Sequence, residues 1–133
     1  MPADQHPVEI ILARSLMSNL TTAAFLVDVE ATLVFYNDAA GEQLGLRFEE
    51  AGPMPAAEWG TRFVPCDEDG TPIPVDELPL LIALTRRQPA HGRMWLHSPP
   101  NDARGIEVHA LPIVGSAGMR GALAIFWDLA VPD

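Results

Sequence analysis

The side chains that could do chemistry in this sequence begin with one thiol and a few imidazoles. Cys66 is the only cysteine among 133 residues, which excludes an internal disulfide and a zinc or iron–sulfur cluster built on cysteines. His91, His97 and His109 occupy alternating positions of predicted strands and fall on one face. Because such positions more often carry surface or interface imidazoles than metal ligands, we expect no metal site.

Catalytic arrangements are equally scarce. Glu107 and His109 lie on one predicted strand, but no nucleophile accompanies a positioned base. The acidic run from Asp67 to Asp69 lacks the spacing of a calcium loop and is interpreted as a solvated turn. The sequence has no lysine, so a Schiff base or a phosphate-loop lysine is excluded. We therefore expect that the protein is not an enzyme.

Charge and hydropathy limit the partners. Eight basic and eighteen acidic residues give a formal net charge of −10, which disfavours binding to nucleic acid or to an anionic membrane surface. No apolar run reaches the ~18 residues of a membrane span, and the first residues do not resemble a signal peptide. We expect a cytoplasmic protein, and the use of arginine alone as the basic residue hints at a GC-rich bacterial source.

Hydrophobic periodicity predicts an α+β domain with a five-stranded antiparallel sheet. Val8–Asn19 is an amphipathic helix with an apolar stripe of Val8, Ile11, Leu12 and Leu16. A short helix over residues 39–44 and a longer one over 76–87 are also expected, with an irregular segment over 46–75 between them. The predicted strands are Ala24–Val29, Thr32–Asn37, His91–Ser98, Gly105–Val114 and Arg120–Leu129.

The two faces of this sheet differ in what must cover them. One face is apolar and should carry the helices of residues 39–87. The other face is too apolar to remain in water, since each large side chain gains roughly 1.5–3 kcal/mol from full burial. The N-terminal helix is the remaining amphipathic element, and it could come from the same chain or from a partner. This second face carries Trp95, Leu111, Leu123, Ile125 and Trp127.

Three segments resemble the PAS sensor domain family. The run AAFLVDVEATLVFYNDAAGEQLG, residues 23–45, resembles the opening strand pair and first helix of that family. The run DEDGTPIPVDELPLLIALTRRQPAHG, residues 67–92, resembles its Asp-Gly-x-Pro turn and long connecting helix. The run GIEVHALPIVGSAGMRGALAIFWDLA, residues 105–130, resembles the closing hairpin. The resemblance implies a PAS fold, with the N-terminal helix covering the second face of the sheet.

The resemblance also implies a division of the chain. Residues 1–7 are expected to be a disordered N-terminus, 8–20 the amphipathic helix, 21–130 the PAS domain and 131–133 a tail. No kinase, cyclase or DNA-binding segment follows in this sequence. The resemblance therefore implies either a stand-alone bacterial member that passes its signal to a signalling protein partner, or a piece of a longer chain.

The resemblance implies three possible classes of ligand: haem, flavin and small metabolites. A photoactive flavin site needs an Asn-Cys-Arg-Phe helix motif, and the sequence around Cys66 does not contain it. Haem in this family usually takes a histidine from the connecting helix, and residues 76–88 contain none. We expect neither haem nor flavin, and no other cofactor.

An apolar cavity between sheet and helices remains, and an acyl chain or another apolar metabolite would suit it. The alternative is a solid core without a ligand. Asn37 is either a polar anchor for the ligand or the cap of the following helix. The candidate lining residues are Phe25, Val27, Leu33, Phe35, Asn37, Trp59, Phe63, Leu81, Ile82, Met94, Leu96, Val108, Ala110, Ala124 and Phe126.

The predicted function is that of a non-enzymatic sensor or interaction domain in bacterial signal transduction. We expect a homodimer formed through the N-terminal helix and the second sheet face. The alternative is a small-molecule carrier or an isomerase-like α+β enzyme with an apolar pocket. The candidate interface residues are Ile11, Leu12, Leu16, Trp95, Leu111, Leu123, Ile125 and Trp127.

Overall fold

The structure is a computed structural model that describes residues 7–44, 48, 52–55, 57–59, 65–96 and 104–129, with residues 43, 44 and 104 described by their backbone alone. The helices whose bounds lie within these ranges are α1 (Val8–Met17), α2 (Asp38–Leu44) and α3 (Pro79–Arg86), and a 3₁₀ turn over Val75–Glu77 precedes α3. Residues 48 and 57–59 also have helical backbone. No helix in the described ranges is long and apolar enough to cross a membrane.

The strands form one antiparallel sheet in the order β2-β1-β6-β5-β4-β3. The described part of the chain contains six strands where the sequence predicted five, a minor difference from the expected PAS architecture. The additional strand, β3, has only two residues, and it pairs Pro65 with Leu96 and Cys66 with Trp95 at the sheet edge. A run so short that begins with proline has no alternating pattern to reveal it. The strands are β1 (Ala23–Asp28), β2 (Leu33–Tyr36), β3 (Pro65–Cys66), β4 (Ala90–Leu96), β5 (Arg104–Gly115) and β6 (Gly118–Asp128).

Helices pack on both faces of the sheet, as predicted. On the inner face, α3 contacts β4, β5 and β6, and Leu81, Ala83 and Leu84 join the larger hydrophobic cluster. On the outer face, α1 contacts β1, β2, β5 and β6. Ile10 and Met17 of α1 are fully buried there against Leu26. The domain is therefore a three-layer arrangement of helix, sheet and helix.

The side of α1 that docks on the sheet differs from the stripe that the sequence predicted. Ile10, Ala13 and Met17 pack on the outer face. Ile10 reaches this face because Gly121 has no side chain: a Cβ there would lie 2.8 Å from Cδ1 of Ile10. The helix is apolar on two opposite sides, and the bare backbone at Gly121 selects which side docks. The predicted stripe of Val8, Ile11, Leu12 and Leu16 stays between 49% and 64% exposed.

Strand β2 contains a β-bulge that changes which side chains face inward. Leu26 pairs with Phe35, but the next residue, Val27, pairs with Leu33, so Val34 is an additional residue in β2. Leu33 therefore packs in the inner cluster while Phe35 packs in the outer cluster with α1. Strict alternation had placed Leu33 and Phe35 on the same inner face, and the bulge makes that placement of Phe35 wrong.

Candidate ligand cavity and outer sheet face

A cavity of about 50 Å³ lies between the inner sheet face and the elements that cover it. The sheet contributes side chains from β1, β3, β4, β5 and β6, and the covering wall comes from Trp59 and from the start of α3. At roughly 10–15 Å³ for one water molecule, this space suits a ligand of a few heavy atoms. The lining residues are Phe25, Trp59, Pro65, Leu78, Pro79, Leu80, Met94, Leu96, Ile106, Val108, Ala124 and Phe126.

The described lining is apolar throughout. Its one side chain with a polar hydrogen is Trp59, and Nε1 of that indole donates to the carbonyl oxygen of Ala31 at 3.0 Å. Phe25 and Phe126 pack against each other with ring centroids 5.1 Å apart. A ligand in this space would gain contact with hydrocarbon and rings, and no hydrogen bond from the described lining.

The structure brings together many of the predicted lining residues. Val27, Leu33, Leu81 and Ala110 are buried in the inner cluster without facing the cavity, and Ile82 is only half-buried on α3. Phe63 lies outside the described residues. Those predicted residues that do line the cavity are Phe25, Trp59, Met94, Leu96, Val108, Ala124 and Phe126.

The start of α3 explains why the part of the cavity wall that comes from this helix differs from the predicted wall. Pro79 occupies the first helical position, and Leu78 before it is extended, with φ −71° and ψ 144°. This break directs Leu78, Pro79 and Leu80 toward the cavity, where the predicted continuous helix had offered Leu81 and Ile82. The Pro at position 79 is the signal that could have placed the wall, since proline favours the first helical turn. The remaining additions, Ile106 and Pro65, come from β5 and from the short β3.

Asn37 is buried and acts as a structural connector, not as a cavity anchor. Its Oδ1 accepts hydrogen bonds from the backbone N–H of Ala24 and of Ala40, each at 3.1 Å. Its Nδ2 donates to the carbonyl oxygens of Met17 at 3.1 Å and Thr22 at 2.9 Å. The bond to Ala40 caps α2, as one of the two sequence interpretations held. All four hydrogen-bonding positions of the amide are occupied, so none is left for a ligand.

The outer face of the sheet is only partly covered by α1. Leu123 and Ile125 are half-buried beside the helix. Trp95 is half-buried over Gly105, where a Cβ would lie 2.7 Å from its Nε1. Leu111 and Trp127 are 46% and 41% exposed. The candidate interface residues thus fall into two sets. Those that remain exposed are Ile11, Leu12, Leu16, Leu111 and Trp127. Those half-buried within the domain are Trp95, Leu123 and Ile125.

Cys66 and the described cavity offer little to a large cofactor. The thiol is buried in β3 beside the cavity lining, which includes Pro65 but not Cys66. No imidazole or thiol belongs to the described lining, and its one side chain able to bind a metal is the thioether of Met94. A ring system of flavin or haem size does not fit a space of about 50 Å³.

Comparison with known proteins gives the fold. No family model matches the sequence, and no curated protein sequence matches it. The PAS domain of BvgS from Bordetella pertussis has a TM-score of 0.63 at 15% identity, covering 92% of this chain and 87% of that one. The PAS domain of nitrogen regulation protein NR(II) from Vibrio parahaemolyticus has a TM-score of 0.62 at 14% identity, covering 89% and 98%.

A third solved structure is also similar. The LOV protein of Rhodobacter sphaeroides has a TM-score of 0.69 at 16% identity, covering 93% of this chain and 69% of that one. With helices on both faces of an antiparallel sheet, these likenesses confirm that the chain has the PAS fold.

Proposed function

We propose that this chain is a non-enzymatic sensor and interaction domain of bacterial signal transduction that acts as a cytoplasmic homodimer. The observation that carries the proposal is the pair of opposite apolar sides on α1. One side, with Ile10 and Met17, is buried on the domain's own sheet. The other side exposes Ile11, Leu12 and Leu16 to solvent. A surface helix normally needs only one apolar side, so the second side is available for a partner.

The exposed side of α1 and the uncovered part of the sheet together define the proposed dimer surface. Leu111 and Trp127 supply the sheet part, and tryptophan is enriched among residues that dominate binding energy. A second copy of the chain is the occupant we propose, because two-fold symmetry lets one apolar surface bury itself. A signalling protein partner would then read the dimer.

Charge reversal on α1 tests the dimer. We expect Leu12→Asp/Leu16→Asp to convert the dimer to a folded monomer, since both side chains are more than 60% exposed and contribute little to the domain's own core. The matched control is Val29→Asp, a change of the same kind at a 54% exposed position in the β1–β2 turn. Light scattering after size exclusion measures the mass. If both variants keep the wild-type mass, the proposed surface is wrong.

The sensing part of the proposal rests on the cavity. We propose that it takes a small apolar molecule of a few heavy atoms, since the described lining is apolar and the space is about 50 Å³. This volume supports a smaller ligand than the acyl chain first considered. It also supports the expectation that haem and flavin are not ligands. The described lining contains no acid, base or nucleophile, which favours a sensor over the isomerase-like alternative.

Xenon and short hydrocarbons are suitable probes for the cavity, because an apolar cavity of protein side chains accepts such guests. A guest that binds only the folded state raises the unfolding temperature. We expect this increase in the wild-type protein and its loss when the cavity is filled by Ala124→Val. An equal increase in both proteins would contradict binding at this position. Absorbance beyond 350 nm in the purified protein would contradict the exclusion of haem and flavin.

A further inference from the structure

Two histidines face each other across neighbouring strands of the outer face. His91 of β4 is the register partner of His109 of β5. Their ring centroids are 5.4 Å apart, the rings are inclined by 22°, and both residues are exposed. The sequence had placed these imidazoles on one face but could not show that they are directly opposed.

This separation matches what one metal ion requires of two imidazoles. A bond of about 2 Å from each nitrogen to a tetrahedral ion places the two ring centroids about 5 Å apart. The rings are stacked, so their in-plane nitrogens do not point at a common ion in this arrangement. Rotation of both exposed side chains about their torsions turns one nitrogen of each ring toward a shared ion. Imidazole ligands favour copper, nickel and zinc over magnesium and calcium.

The neighbouring side chains do not compete with the pair for a metal ion. Trp127 stacks on His109, with centroids 5.1 Å apart and an interplanar angle of 24°. Two residues along these strands, on the same face, the next register pair is Arg93 with Glu107, whose Nε and Oε1 atoms are 3.8 Å apart. The guanidinium charge is thus compensated locally, and the formal net charge of −10 attracts cations to the protein as a whole.

We propose that His91 and His109 form a chelating surface site for a divalent transition metal ion, with Zn²⁺, Ni²⁺ and Cu²⁺ as its class of ligand. Two imidazole nitrogens bind the ion and water completes its coordination. No group of three or more metal-ligating side chains occurs in the described ranges, so the site keeps positions open to solvent. The site borders the proposed dimer surface through Trp127, which stacks on His109, and it does not involve the cavity.

Titration of the full chain with Zn²⁺ alone, followed by calorimetry, tests the site. We expect one ion per chain, and at least a tenfold loss of affinity in His91→Gln and in His109→Gln, since even outer-shell changes cost that much. The matched control is the double variant His6→Gln/His97→Gln, which should bind as the wild type does. Ca²⁺ should not bind at this pair.

Cu²⁺ provides a second measurement that reports position. Bound Cu²⁺ should quench the fluorescence of Trp127, and Trp127→Phe should remove most of that response while Zn²⁺ binding persists. Three results would overturn the proposal: no saturable Zn²⁺ binding, an effect of only one of the two single variants, or an equal loss in the control. Thermal unfolding confirms that each variant is folded, so weak binding cannot be attributed to an unfolded chain.

Discussion

The side-chain amide of Asn37 donates a hydrogen bond to the carbonyl oxygen of Met17 across 3.1 Å, and thereby joins the C-terminal end of α1 to the start of α2. The same amide bonds the start of β1 through Ala24. One buried side chain therefore connects helix α1 of the outer layer, strand β1 of the sheet and helix α2.

Removal of this amide should be costly. We expect Asn37→Ala to lower the free energy of unfolding by about 3 kcal/mol, because buried backbone groups on three elements lose partners at about 1–3 kcal/mol for each group left unsatisfied. Asn19→Ala is the matched control, since Nδ2 of Asn19 makes an exposed bond to the carbonyl oxygen of Ser15. Its cost should stay below about 0.5 kcal/mol. Denaturant unfolding of both variants measures the difference, and equal values would contradict the connector role.

Two turns in the chain share one construction. Oδ1 of Asp28 accepts from the backbone N–H of Glu30 and Thr32. Oδ1 of Asp67 likewise accepts from the N–H of Asp69 and Thr71. The fourth residue of each turn has a positive φ: 64° at Ala31 in the first turn and 87° at Gly70 in the second.

This correspondence predicts unequal effects on stability when the residues at the two left-handed positions are exchanged between glycine and alanine. Gly70→Ala should lower the free energy of unfolding by about 1 kcal/mol, the cost of left-handed backbone in an L-residue, since a Cβ there meets nothing within 4 Å. Ala31→Gly should change it by less than about 0.5 kcal/mol, because relief of that cost is offset by greater freedom in the unfolded chain. A large loss in Ala31→Gly, measured by thermal unfolding, would show that the buried methyl group matters more than backbone strain.

The close approach of β1, β6 and α1 at Gly121 predicts a third effect. A Cβ at Gly121 would collide with the carbonyl oxygen of Val27 and lie 2.8 Å from Cδ1 of Ile10. Gly121→Ala should therefore separate β1 from β6 and cost more than about 2 kcal/mol. Gly92→Ala is the control, because its Cβ would make an ordinary 3.5 Å contact with Pro79. Similar stabilities of the two variants in urea would mean that the strands and α1 yield without cost.

The cavity predicts a difference between two neighbouring alanines of β6. Ala124 lines the cavity and Ala122 does not, although both are buried. Ala124→Val should cost less than about 1 kcal/mol because its added methyl groups enter free space, whereas Ala122→Val should cost about 1–3 kcal/mol through overpacking. Equilibrium unfolding of the two variants measures this difference in the free energy of unfolding. If Ala124→Val proves the more damaging change, the space beside it is not open.

Much of the fold followed from the sequence because long apolar patterns specify their own partners. The alternation in β5 and β6 identified Val108, Ala124 and Phe126 as inward-facing before their neighbours were known, and the structure places all of them on the cavity. Local capping chemistry likewise indicated Asn37 as the cap of α2.

The structural features that the sequence did not predict depend on contacts between residues far apart in the chain. The docked side of α1 is decided by Gly121, which lies far away in the sequence. The inward side of β2 is decided by an extra residue at Val34, visible only in the pairing with β1. The domain boundaries expected at residues 21 and 130 remain predictions.

Sedimentation velocity of the wild-type chain at micromolar concentrations tests the central claim most directly. The exposed stripe of α1, with Leu12 64% and Leu16 61% exposed, predicts a species of twice the chain's 14.4 kDa mass. A strict monomer over the whole concentration range would contradict the proposed sensor dimer.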